Sequence, residues 1–215
     1  MKKTGRYDTS GLIETQFEPG SRGRVLKNLL GIKSKREMDR VEAVEYLRAI
    51  EELPEKYDEK HFFTASDICK MHKLWLGRIY EWAGRYRQVN ISKDDFPFAA
   101  AKQVPHLMEA FEKSLLKEYT PCQYKSEEEI AYAIAAVHAE LVLIHPFREG
   151  NGRVARILSI LMALQAGLPP LDFGGIKGKR KEEYFAAVQR GLDKDYTPMK
   201  EIFTSVIYRT LRKQK

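Results

Sequence analysis

Two long apolar segments, 130–144 and 157–168, stand on either side of a polar loop, and this pairing limits the fold of the 215-residue chain more tightly than any other feature. In the first segment Ile130, Ile134, Val137, Leu141 and Ile144 recur at helical spacing. Ser126 and Glu129 just upstream have capping-box spacing, which marks where the helix starts. Pro146 ends it, because proline has no N–H to donate and pushes residue 145 out of helical backbone. A second apolar helix runs to Ala166, where Gly167, Pro169 and Pro170 stop it. His138 and Glu140 interrupt the first segment and the second is too short for a bilayer, so neither is a membrane span. Both are expected to be core helices.

Most of the remaining chain is also helical in pattern. Ser34 and Glu37 have capping-box spacing, and Val41, Val44, Leu47 and Ile50 form the expected inward face up to Pro54. Thr64 and Asp67 open another helix with Ile68, Met71, Leu74, Trp75 and Ile79 inward and Gly84 as its expected stop. Further helices are predicted over about 104–117, 181–190 and 197–212. Residues 85–99 differ: Arg87, Val89 and Ile91 alternate with Gln88, Asn90 and Ser92, a period of two. A turn at 93–95 and a return through Phe96, Pro97 and Phe98 make a β-hairpin, with Pro97 holding the return strand at an edge. Residues 1–33 lack periodicity and are expected to wrap the core, with Val25, Leu26, Leu29 and Leu30 as a candidate helical turn. The expected class is all-α with one small hairpin, divided into an arm and helix (1–59) and a core domain (60–215).

Composition adds exclusions. Hydrophobic residues at 43% and charged residues at 31% are an ordinary globular mixture. Two cysteines, Cys69 and Cys122, rule out a disulfide scaffold and a Cys-rich zinc site. The first residues carry lysines but no apolar run, so a Sec signal is absent and a cytoplasmic location is expected, or export by another route. Net charge is +7 with a pI near 9.2, but the cations are spread along the chain and no basic recognition helix is visible. Nucleic acid is therefore not the expected partner.

The loop itself reads HPFREGNGRVAR, residues 145–156. Phe147 is an apolar anchor in polar surroundings. Gly150, Asn151 and Gly152 allow positive-φ backbone and set several N–H groups on one concave side. The next helix starts there with its positive dipole end, which makes an anion site. Arg153 and Arg156 share one face of its first turn, where cations have the wrong sign for the dipole unless an anion lies between them. Glu149 beside phosphates is best explained as a Mg²⁺ ligand. His145, with an ordinary pKa of about 6.5, suits a general base. Taken singly each residue has a bland explanation as a cap, a turn or a solvated charge. Together they describe nucleotide phosphate chemistry.

The segment resembles the active-site motif of the Fic (filamentation induced by cAMP) family, HPFx[D/E]GNGRxxR, with every fixed position present, and the resemblance extends over roughly residues 60–205. It implies an all-α core with a β-hairpin flap, and transfer of AMP from ATP to a Ser, Thr or Tyr hydroxyl of a target protein. By the same resemblance His145 deprotonates the attacking hydroxyl and Glu149 holds Mg²⁺. Gly150, Asn151 and Gly152 cradle the phosphates, with Asn151 steadying the α-phosphate, while Arg153 and Arg156 bind the β- and γ-phosphates. Gly152 stands where the phosphate-transferring Doc branch has Lys. The hairpin would hold an extended target segment, with Lys93 and Phe96 clamping its side chain. Tyr184 is either part of the adenine pocket or an aromatic core contact, and Trp82 and Tyr86 read as core.

Many relatives are held inactive by a helix carrying [S/T]xxxE[G/N], whose Glu pairs with the second motif arginine. The stretch from Ser10 to Glu14 has this spacing but continues with Thr15, and Thr197 to Glu201 continues with Ile202 in a core helix. Glu14 is thus the candidate inhibitory residue; otherwise a separate antitoxin protein inhibits, or nothing does. Other nucleotidyl or phosphoryl transfer, removal of AMP, and a silent binding module remain open alternatives.

Overall fold

The computed structural model describes residues 11–93 and 95–213. Its helices are α1 (Lys35–Glu52), α2 (Ala65–Leu76), α3 (Val104–Phe111), α4 (Lys117–Tyr119), α5 (Glu127–Ile144), α6 (Asn151–Gln165), α7 (Lys179–Arg190) and α8 (Thr197–Arg212). Two short strands, β1 (Ser92–Lys93) and β2 (Phe96–Pro97), pair antiparallel between α2 and α3, with Ser92 opposite Pro97 and Lys93 opposite Phe96. The class is all-α with a hairpin, as the periodicity predicts.

α5 is the axis. It is apolar around most of its circumference and buried to match: beyond its first turn only Tyr132 and Glu140 are not buried. α3, α6, α7 and α8 pack around it, and α1 packs on α2, which in turn meets α6. Two helix starts form as their spacing predicts. Ser126 and Glu129 close a reciprocal capping box on α5, and Thr64 and Asp67 close one on α2. Each such cap is worth about 1 kcal/mol.

Four expectations need correction. The inward face of α1 is only half as expected: Val41 and Ile50 pack partly buried against the core, but Val44 and Leu47 are 59% and 61% exposed, and Met38, Glu42 and Ala49 are buried in their place. The helix is turned so that a carboxylate faces inward. Gly84 does not stop α2, which ends at Leu76. Gly84 serves a later turn at φ +80°, where its N–H donates to His72 Nδ1 (2.8 Å) and a Cβ would lie 2.8 Å from Lys73 Cβ. The alternation over 87–91 makes no strand: the ladder pairs residues 92–93 with 96–97, and before it Ile91 O accepts from Phe98 N–H (3.2 Å). Residues 25–30 make no helical turn; Leu26 bridges to Phe17, and Leu29 and Leu30 are exposed.

Candidate active site

α5 ends at His145 in left-handed backbone (φ 53°, ψ 59°), which swings the chain into Pro146. The imidazole is fixed from both sides. Its Nδ1–H donates to Val142 O (2.9 Å), and its ring stacks on Phe98 at 3.5 Å. That bond sets the tautomer and leaves Nε2 as the acceptor. Burial, assisted by the charges of Arg87 and Lys93 and opposed by the Val142 bond, brings the His145 pKa down to about 4. The ring is therefore neutral and able to take a proton at pH 7.

The loop that follows is held by its own side chains. Phe147 is fully buried and stacks on the buried His72 ring at 3.9 Å. Asn151 clasps the Phe147 peptide at both ends: its Oδ1 accepts from Phe147 N–H and its Nδ2 donates to Phe147 O, each at 2.8 Å. Both polar atoms of the Asn151 side chain are thus engaged in shaping the loop. His72 Nε2–H donates to Glu149 O (3.0 Å). Gly150 has φ +84°, and a Cβ there would come within 2.7 Å of the Trp75 ring, so only glycine fits. No side chain caps α6; its first N–H groups are left to a ligand or solvent.

The two arginines have different surroundings. Arg153 pairs with the buried carboxylate of Glu42 (2.8 Å) and lies over the Trp75 ring at 4.4 Å. Arg156 faces the Phe173 ring at 5.3 Å, and its Nε is buried without a hydrogen-bond partner. Among the described residues no carboxylate pairs with Arg156. A buried, unpartnered guanidinium N–H is costly unless an acceptor arrives.

One cavity of about 1140 Å³ gathers most of the residues singled out in the sequence: Lys93, Phe96, His145, Glu149, Gly150, Asn151, Gly152, Arg153, Arg156 and Tyr184. Glu149 stands at its edge, with Oε1 accepting from Gly150 N–H (3.1 Å). The flap reaches across the cavity, and Lys93 Nζ sits 3.1 Å from the centroid of Phe185 on α7. Phe96 meets Phe98 edge-on at 5.5 Å. Tyr184 lines the cavity, but its hydroxyl points into the core. It donates to His138 Nε2 (2.8 Å), and His138 Nδ1–H donates to Ser159 Oγ (3.0 Å). Trp82 is buried on Tyr80, and Tyr86 is half-buried near Phe147, both as core.

Glu14 is elsewhere, which corrects its expected pairing with Arg156. Its buried carboxylate accepts from Gln88 N–H (2.7 Å), and its carbonyl accepts from Arg148 Nε (3.0 Å). The 3₁₀ turn of residues Ile13–Thr15 thus braces the base of the flap. Ser10, the first residue of the suspected inhibitory spacing, lies outside the described residues. Glu14→Ala should accordingly lower stability by about 1–3 kcal/mol by stranding the Gln88 N–H, and should not raise activity. Urea unfolding and self-modification assays check the two parts.

Four residues that serve the site escaped the sequence pattern: Glu42, His72, Arg87 and Phe98. His72 and Phe98 carry no local signal for a role in the site. Arg87 reads as a strand residue, and nothing near Glu42 in the sequence marks it for burial.

The buried histidines make a pH prediction. Burial lowers the pKa of His138 from 6.5 to about 3 and those of His72 and His145 to about 4. The unfolded chain therefore binds more protons below pH 6.5 than the folded one, so stability rises with pH between about 4 and 6.5 and is lost as pH falls through that window. At pH 5 each ring should destabilise the fold by on the order of 1–2 kcal/mol. Melting temperatures at pH 7 and pH 5 measure this, and equal values would contradict it.

Comparison with known proteins follows the same lines. A model of the Fic/DOC family matches residues 62–163. Protein adenylyltransferase VbhT of Bartonella schoenbuchensis is 35% identical over 167 residues, 75% of this chain and 33% of that protein. The probable protein adenylyltransferase y4lH of Sinorhizobium fredii is 28% identical over 183 residues, 84% of this chain and 89% of that protein. The structure of the VirB-translocated effector BepC of Bartonella tribocorum, with bound AMPPNP, matches with a TM-score of 0.72 over 91% of this chain and 97% of that one. At 23% identity that likeness is one of fold. The chain spans about a third of VbhT, 33% of its length. Among the described residues no helix is long and apolar enough to cross a membrane.

Proposed function

The chain belongs to the Fic/DOC family, and from that premise we propose that it is a protein adenylyltransferase, moving AMP from ATP to a hydroxyl side chain of a target protein and releasing pyrophosphate. In this scheme His145 Nε2 accepts the hydroxyl proton as the hydroxyl oxygen attacks the α-phosphorus. A new P–O bond forms, and the bond between the α-phosphorus and the bridging oxygen to the β-phosphate breaks. The N–H groups that open α6 face the phosphates, Arg153 takes the β-phosphate, and Arg156 takes the γ-phosphate with its unpartnered Nε. The Asn151 side chain holds the loop, and with a second Nδ2–H and a place in the cavity lining it also steadies the α-phosphate in this scheme. Lys181, Phe185, Val188 and Gln189 line the cavity beside Tyr184 and are the residues available to the base.

Glu149 fits a magnesium ion: it is a half-exposed hard oxygen donor at the cavity edge, and Mg²⁺ is typically bound by one or two carboxylates together with phosphate oxygens. When bound, the ion supplies charge neutralisation between phosphates. The flap lies with its Phe98 on the base, so a target strand added along the hairpin would present its hydroxyl next to His145.

The observation that carries this reading is that a neutral histidine acceptor and a buried arginine donor without a partner open on one cavity. Incubation with ATP labelled at the α- or the γ-phosphate tests it. Transfer of the α-label to protein is the expected result; transfer of the γ-label would mean phosphorylation instead. A separate antitoxin protein as the inhibitor belongs to the same proposal. A cytoplasmic place of action belongs to the same proposal.

A further inference from the structure

Glu42 is a charged residue on the inner side of α1 and is only 4% exposed. Three groups converge on it. Arg153 Nη1 pairs with Oε2 at 2.8 Å, the Tyr80 hydroxyl donates to Oε1 at 2.7 Å, and Trp75 Nε1–H donates to the Glu42 carbonyl at 3.0 Å. Trp75 also lies under the Arg153 guanidinium, and Tyr46, one turn on along α1, meets the Trp75 ring edge-on at 5.4 Å. The other terminal nitrogen of Arg153 is 3.8 Å from the Glu149 carboxylate at the cavity edge.

A carboxylate withdrawn from water is costly unless it is paired and hydrogen-bonded. Glu42 has both compensations, and its pairing partner lines the cavity. Arg153 needs the pair as well, since it stands in the first turn of α6, where the dipole opposes a cation. A long arginine side chain otherwise samples many rotamers and must be ordered when a ligand binds. Held between Glu42 and the Trp75 face, it is ordered on folding instead, which leaves that cost out of nucleotide binding.

We propose that Glu42 is the positioning residue for Arg153, so that α1, which lies outside the segment matched by the family model, forms one wall of the phosphate site. This rests on Arg153 gripping phosphate. A carboxylate so buried would be stranded if Arg153 swung away, so Glu42 and a phosphate share the guanidinium rather than compete for it.

Calorimetric titration of the whole chain with Mg²⁺–AMPPNP tests this in a double-mutant cycle of Glu42→Gln and Arg153→Gln. Glu42→Gln keeps the side-chain shape and an acceptor for Tyr80 but removes the charge. If Arg153 then holds the competent position one time in ten, the Kd rises about tenfold. The KM for ATP should rise alike while kcat changes little. In the Arg153→Gln background the same change should have no further effect. An unchanged or tighter Kd for Glu42→Gln, or equal weakening in both backgrounds, overturns the proposal. Should Glu42→Gln not fold, Glu42→Asp withdraws the carboxylate by one methylene and should weaken binding in the same direction; an unchanged Kd overturns it equally. If the native chain binds no Mg²⁺–AMPPNP, the adenylyltransferase reading falls first. If it binds and the variants match it, only the role of Glu42 falls.

Discussion

Replacing His145 by Ala should reduce label transfer from ATP to protein about 10²–10⁴-fold, the usual worth of a positioned general base. Nucleotide binding should stay within about threefold, because in the proposed scheme α6 and its arginines hold the phosphates and the imidazole does not. The position has a second demand, since its backbone is left-handed. Alanine there is mildly strained, by roughly 1 kcal/mol. Asparagine tolerates that conformation better than most residues and can still donate from its side chain. His145→Asn should therefore retain the melting temperature more fully than His145→Ala, yet lose transfer to the same degree. That combination separates chemistry from folding. Unchanged transfer in a folded, nucleotide-binding His145→Asn variant would remove His145 as the base.

What could be read in the sequence depended on whether a residue's role is local. Pro146 and Gly150 act through their own backbone, so the loop and the start of α6 were legible from spacing alone, whereas Gly152 lies in ordinary helical backbone with open space where a Cβ would be. The capping boxes at Ser126 and Thr64 are equally local. Glu42 and Arg87 are not: each is a buried charge whose burial makes sense only once a partner from a distant segment arrives. Glu42 also explains why the inward face of α1 was misjudged. Val44 and Leu47 offered an apolar stripe, but α1 turns to bring Glu42 to Arg153 and Tyr46 to Trp75, and the two aliphatic side chains are left outside. The hairpin formed as expected, but its first strand is shorter than the alternation. Arg87 and Val89 are buried while Gln88 and Asn90 are exposed, so the period of two is real. Residues 87 and 88 give their N–H groups to the 145–151 loop and the N-terminal turn rather than to a partner strand: Arg87 N–H donates to Pro146 O (2.9 Å) and Gln88 N–H to Glu14, while Ile91 O accepts from Phe98 of the return strand (3.2 Å). Alternation records which side faces the core, not what lies beside the chain.

Arg87→Ala should be among the most destabilising single changes in the molecule, by about 3–5 kcal/mol. The guanidinium is 2% exposed and donates to the carbonyls of His145 (2.7 Å), Val89 (2.8 Å), Ile144 (3.4 Å) and Ala99. It thereby caps the C-terminus of α5, where a cation suits the dipole, and clamps the base of the flap to the His145 peptide. Truncation strands those carbonyls and leaves the nearby Glu14 carboxylate without its cation. Loss of the clamp frees the flap and the left-handed turn at His145 together, so transfer should fall further than the loss of folded protein accounts for. Arg87→Lys keeps the charge and reaches fewer of the carbonyls, and should recover part of both losses. Urea unfolding beside transfer rates normalised to folded protein measures the two effects. A variant with native stability would show the clamp to be dispensable, and one that is unstable but fully active per folded molecule would confine Arg87 to the fold.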